Sequence, residues 1–212
     1  MYTYNLGIDK LEFNEQLEIL GMISSEKETV PLSKKIIPAK AKGMVEKWLL
    51  EVEETMQLSL KKIIARAVDA YKQVPRESWV LEWAGQVVIC VSSIYWTSEV
   101  CDSMKQANGL FEYLEKQNKQ IEQIVNLVRG KLEPGSRVTL EALTVIDVHA
   151  RDVVAQLAKD KVNSPNAFDW LAQLRYYWHN DVSVCMITTD LKYGYEYLGI
   201  DFRFSCFFAQ LL

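Results

Sequence analysis

The sequence predicts a mainly α fold: an elongated bundle of long helices, with a small β-hairpin near the N-terminus and a short strand region near the C-terminus. Three observations carry this reading. Apolar residues recur at steps of three and four across long stretches, above all from Val45 to Tyr71. Glycine and proline punctuate the chain at only a few places, chiefly Pro75, Asn108-Gly109, Pro134-Gly135 and Asn163-Ser164-Pro165. Strand-like patterning is confined to two regions, one at each end.

Taken in order, the first region places Leu17, Ile19, Leu20 and Met22 on one side of the polar run Ser24-Ser25-Glu26-Lys27-Glu28, with Val30, Leu32 and Ile36 on the other. Two short strands joined by a polar turn are expected there. Val45, Trp48, Leu49, Val52, Met56, Leu60, Ile63, Ile64, Ala67 and Tyr71 then define one long amphipathic helix, ended by Pro75. From about 78 to 104, Trp79, Trp83, Val87, Val88, Val91, Ile94, Tyr95 and Val100 wrap widely round the next helix, which predicts burial on more than one side. After Asn108-Gly109 a stripe of Leu110, Leu114, Ile121, Ile124, Val125 and Val128 runs to Arg129-Gly130. Another helix follows Pro134-Gly135, marked by Val138, Leu140, Leu143, Ile146, Val153, Val154 and Leu157. A shorter helix is expected to carry the aromatic run Phe168 to Trp178, and Val182, Val184, Met186 and Thr188 alternate as a strand. Helices of about 25 residues would each extend nearly 40 Å.

Composition excludes several functions. The chain has 212 residues, of which 49% are hydrophobic and 25% charged, enough to bury a sizeable core. Its net charge of -4 argues against nucleic-acid binding, which needs concentrated lysine and arginine. The short basic pairs Lys34-Lys35 and Lys61-Lys62, and the acidic Glu51-Val52-Glu53-Glu54, read as solvated faces. Four cysteines, Cys90, Cys101, Cys185 and Cys206, form no CxxC pair, and only His149 and His179 could assist them, so no metal site is expected. Cys90 and Cys101 lie among apolar helical residues and read as buried reduced thiols. No basic region followed by an apolar run marks a signal peptide, and no apolar segment reaches the roughly 18 residues of a membrane span. A soluble intracellular protein is expected.

Catalytic patterns are missing. Gly130-Lys131 is the only Gly-Lys pair, but position 125 is Val and position 132 is Leu, so it is no P-loop. Neither GxSxG nor HExxH occurs. Asp147-Val148-His149-Ala150-Arg151-Asp152 brackets a histidine with carboxylates, yet helical geometry pairs Asp147 with Arg151 and turns His149 elsewhere, so a structural ion pair is the expectation. Trp79, Trp83 and Trp96 read as core rather than as a ligand cage.

Several motifs stand in an order that resembles the dynein heavy chains. They are Val45-Glu46-Lys47-Trp48-Leu49-Leu50-Glu51-Val52-Glu53-Glu54-Thr55-Met56, Gly85-Gln86 ahead of Trp96-Thr97, Leu127-Val128-Arg129-Gly130, Asp147 to Val153, the Phe168 to Trp178 run, and Tyr193-Gly194-Tyr195-Glu196-Tyr197-Leu198-Gly199. The resemblance extends from about Leu6 to Gly199 and is strongest to axonemal heavy chains of ciliary inner arms. It implies that residues 1–180 are the C-terminal part of the linker domain, a helical lever lying across an AAA+ ring, and that 181–199 begin the first AAA+ module. Residues 200–212 depart from the family as a divergent apolar tail, for which a shifted reading frame, a retained intron or an alternative terminal exon would account. The implied junction of linker and ring comprises Phe168, Trp170, Leu174, Arg175, Tyr176, Tyr177, Trp178, Tyr193, Tyr195 and Tyr197. The full-length family uses ATP and Mg, whereas this chain is expected to hold no cofactor, metal or catalytic residue. Implied partners are the AAA+ ring and other dynein subunits, with microtubules reached only indirectly and neither nucleic acid nor membrane bound. Cytoplasm, cytoskeleton and ciliary axoneme are the implied locations. An alternative is a helical interaction module that binds dynein subunits or regulators.

Overall fold

The computed structural model describes residues 8–199. The expected tail at 200–212 lies outside them. Three N-terminal strands, β1 (Ile8–Phe13), β2 (Ile19–Ser24) and β3 (Thr29–Ile36), form an antiparallel sheet in that order. One 3-10 turn (Pro38–Ala41) leads into α1 (Val45–Tyr71), α2 (Arg76–Glu82), α3 (Gly85–Ser103), α4 (Gly109–Arg129) and α5 (Pro134–Lys159). The single-turn α6 (Phe168–Leu171) precedes a second antiparallel sheet, β4 (Arg175–Trp178), β5 (Val182–Met186) and β6 (Thr189–Lys192).

The mainly α expectation holds, with more strand than the sequence predicted. β1 joins the expected hairpin as a third strand. Its register slips between Ile8 and Lys10 and again between Glu12 and Phe13, so its apolar residues lose the period of two that would have marked it. The expected helix over 78–104 is two helices, because Trp83 adopts an extended backbone (φ -120, ψ 154).

A larger correction falls on the aromatic run. Only Phe168–Leu171 is helical, and Arg175–Trp178 is a strand paired residue for residue with Val182–Cys185. Tyrosine and tryptophan suit a half-buried pleated surface, and Asn180 supplies the left-handed residue (φ 59) of the reversal between β4 and β5.

α3 is the central element, touching α1, α4, α5 and β4. Its apolar surface runs all round, with Val87, Val88, Val91 and Val100 fully buried. The main core joins Met22 and Val30 of the first sheet to Met56, Leu60 and Ile64 of α1, Trp79 of α2, Leu140 and Leu143 of α5, and Val182 and Val184 of the second sheet. A second core gathers Val100, Met104, Leu110, Tyr113, Val154, Leu157 and Trp170. Tyr71, at the end of α1, stacks on Tyr95 of α3 at 4.1 Å between ring centroids.

Asp147 does not pair with Arg151. It accepts both of its close contacts from Arg76 of α2, at 2.9 Å each, and the pair is largely buried. Arg151 turns instead to its neighbour Asp152, and His149 is exposed. The Arg76–Asp147 pair thus ties α2 to α5. Both ends of the described region come to one place: Ile8 pairs with Ser24 across the sheet, and a Cβ built on Gly199 would lie 2.8 Å from the Ser24 Cβ.

Candidate docking junction at the C-terminal sheet

Alternation along β4 and β5 divides the second sheet into two faces. Tyr176, Trp178, Val182 and Val184 face the main core, where Thr97 of α3 accepts the Tyr176 N–H at 3.0 Å. Arg175 and Tyr177 occupy the other face, with Cys185 and Asp190 in the same cross-strand row as Arg175. Arg175 is buried, and its guanidinium donates to the Tyr177 hydroxyl at 3.0 Å and the Ile187 carbonyl at 3.2 Å. Ile187 in turn donates its N–H to the Leu171 carbonyl at 2.7 Å, which fastens the β5–β6 turn to α6.

Beyond β6 the chain runs from Tyr193 to Gly199 without regular structure, yet it lies tightly against the body. Gln86, in the first turn of α3, donates its amide to the Tyr193 hydroxyl at 3.1 Å and the Glu196 carbonyl at 2.7 Å. Its own carbonyl accepts the Leu198 N–H at 2.9 Å. Glu28 of the β2–β3 turn bridges two elements, accepting the Gly85 N–H at 2.8 Å through one oxygen and the Tyr197 hydroxyl at 2.7 Å through the other. The residue before α3 is Ala84, which has no capping side chain, so a carboxylate brought from the β2–β3 turn supplies the partner that a helix start needs.

The tyrosines interlock. Tyr193 meets Tyr195 edge-on at 5.0 Å and Tyr176 at 6.5 Å. The Tyr195 hydroxyl donates to the Asp181 carboxylate and accepts the Val182 N–H at 2.9 Å. That bond, with Lys61 at 2.9 Å, holds the Asp181 carboxyl below its ordinary range. Burial pushes the hydroxyls of Tyr193, Tyr195 and Tyr197 up, so they stay protonated, and pushes the neighbouring Cys90 thiol up to about 12. Between α1 and the second sheet lies an open groove of about 690 Å³, walled by Leu58, Lys61, Asp181, Leu191, Tyr193 and Tyr195. Among the described residues no three His, Cys, Asp or Glu side chains are placed to hold a metal ion, and no helix is long and apolar enough to cross a membrane.

Of the ten junction residues read from sequence, Arg175, Tyr176, Tyr177, Trp178, Tyr193, Tyr195 and Tyr197 belong to this sheet and the segment after it. Leu174 packs on the main core just before β4. Trp170 is fully buried in the second core, tilted against Trp96 at 5.2 Å. Phe168 is 67% exposed and belongs to neither core. Sequence reasoning did not select Gln86, Thr97, Glu28 or Asp181 as site residues. Gln86 and Thr97 are marked in the sequence only by the family resemblance, and nothing in the polar turn distinguishes Glu28.

Side chains of the helical body and of the β2–β3 turn thus hold the segment Tyr193–Gly199 in place. Comparison with known proteins supplies the family. The model described as "Dynein heavy chain, N-terminal region 2" matches residues 3–67. The chain is 62% identical over 194 residues to human dynein axonemal heavy chain 3, 49% identical over 195 residues to human dynein axonemal heavy chain 12, and 45% identical over 194 residues to human dynein axonemal heavy chain 1. Each match covers 91% of this chain. It covers 5%, 6% and 4% of the respective relatives, so the chain spans a small part of their length. This chain belongs to the dynein heavy chain family.

Proposed function

We propose that the chain is a non-catalytic segment of a dynein heavy chain linker, the mechanical lever of an ATP-driven, microtubule-based motor of the ciliary axoneme. Residues 1–180 would form the C-terminal part of the linker, 181–199 would open the first AAA+ module, and 200–212 would be a tail of separate origin. β4 and β5 pair across the 180/181 boundary, so the division is one of module ancestry and not of folding unit. The observation that carries the reading is the fastening of Tyr193–Gly199 to the helical body by Gln86 and Glu28. A lever works only if its attachment is fixed to a body that moves as one piece, and a close-packed core shared by helices and sheets supplies such a body.

Its partners in this reading are the AAA+ ring and other dynein subunits, with microtubules engaged only through the ring. Location in the axoneme follows from the same reading. The test is binding of the purified chain to a recombinant AAA+ ring of a related axonemal heavy chain, together with an ATPase assay of the chain alone. Ring binding without intrinsic ATP hydrolysis is expected. Hydrolysis that co-purifies with the chain, or no binding to the ring, would overturn the proposal. The second reading, a free-standing interaction module, draws on the exposed Val45, Leu49 and Leu50 of α1, and binding to other dynein subunits in preference to the ring would favour it.

A further inference from the structure

The segment Tyr193–Gly199 owes its position to side chains remote in sequence. Gln86 lies 110 residues from its Glu196 contact, and Glu28 lies 169 from its Tyr197 contact. Both converge on the start of α3, where Glu28 caps Gly85 and Gln86 is the next residue. Met56 of α1 adds a sulfur acceptor for the Tyr197 N–H at 3.4 Å. The segment's exit is equally constrained. Gly199 is left-handed (φ +68), and a side chain there would run into Ser24 and Glu26 of the β2–β3 turn.

We propose that Tyr193–Gly199 is a strap that seats and releases as one unit, that Gln86 is the positioning residue that seats it, and that the seated strap locks the β2–β3 turn to α3. The physical reason is shared anchorage. Tyr195 and Tyr197 are buried side chains, each tied at its hydroxyl to a carboxylate, and Tyr193 is bonded to Gln86. Lifting Tyr193 or Tyr195 removes a ring contact from the other, and lifting any of the three leaves polar groups without partners, so partial release is opposed. Gln86 matters most because a single neutral amide holds the backbone at both Glu196 and Leu198. Glu28 carries the coupling, because its two oxygens join strap and helix through a residue of the β2–β3 turn. When the strap is seated, whatever adjoins Gly199 is fixed to the N-terminal sheet and α3. When it lifts, that tie is lost while the helices stay packed.

The inference deepens the lever reading and rests on it for its meaning in a motor, but its test needs only this chain. Residue-resolved amide hydrogen exchange on the full chain compares wild type, Gln86→Ala and Glu28→Gln. Gln86→Ala is expected to speed exchange at least about tenfold at the Tyr197 and Val182 amides, which do not bond to Gln86, and at the Ser24 and Glu28 amides of the turn. Amides of α4 and α5 should be unchanged. Glu28→Gln, which keeps an acceptor for Gly85, should speed the same set by a smaller factor, and it carries the test if Gln86→Ala does not fold. An effect confined to the Leu198 amide would overturn the strap as a unit. Uniform acceleration through α4 and α5 would reduce Gln86 to general stability and overturn its positioning role. Release of the strap with the Ser24 and Glu28 amides unmoved would overturn the coupling. A chain that shows the unit but fails to bind a ring would sink the lever reading alone.

Discussion

Trp170 and Phe168 stand two positions apart on one helical turn and meet opposite surroundings. Trp170 has no exposed surface and packs between α3, α4 and α5, whereas Phe168 is 67% exposed. Trp170→Ala should therefore cost about 3–5 kcal/mol, read by denaturant unfolding. Phe168→Ala should stay within about 0.5 kcal/mol of wild type. Equal losses would contradict the placement of both side chains. The same contrast shows how far single residues could be read. An aromatic block marks itself in a sequence, so Tyr193, Tyr195 and Tyr197 stood out, but the polar groups that hold them did not. Glu28 looks like any carboxylate of a polar turn. Its role depends on a partner 169 residues away, a pairing that no local pattern encodes. Asp147 was misassigned for a related reason: helical spacing offers Arg151 as a neighbour, and only packing brings Arg76 closer.

At the scale of elements, the junction of α3 and α4 is a tight one. Asn108 is left-handed (φ 63) and Gly109 opens α4, where a Cβ would come within 2.2 Å of the Ser103 carbonyl oxygen. Backbone cannot yield as a flexible side chain can, so Gly109→Ala should destabilise by about 1–3 kcal/mol. Gly135, in the first turn of α5, has open space where its Cβ would be. Gly135→Ala should be neutral or stabilise by up to about 1 kcal/mol, and thermal melts of the two variants should move in opposite directions or differ clearly in size. Elements were most legible where local pattern and tertiary demand coincide. α1 begins at Val45 and ends at Tyr71, where its apolar stripe begins and ends. β1 was hidden by its bulges, and β4 was read as helix because aromatic residues stand on both of its faces and leave no apolar–polar alternation.

For the molecule as a whole, the decisive fact is that α3 passes through both large cores, from Val87 in the first to Met104 just beyond its end in the second. Neither core can dissolve without exposing one side of that helix. Thermal unfolding followed by far-ultraviolet circular dichroism and by tryptophan fluorescence should therefore give coincident midpoints, since Trp79 and Trp170 report on different cores. Separate midpoints would mean that the α4–α5 end melts alone. Ser24 sets a further property. Residues 8 and 199 both abut it, so the described region is nearly a closed loop in space although it is open in sequence. A short covalent bridge between those two positions should be accepted with little strain, and new ends could be opened in the exposed turn around Gly130 and Lys131. In a longer chain, the backbone enters and leaves this body through one doorway. A pull between the flanking parts would cross at Ser24, and the long helices would hang beside the line of tension like a pendant.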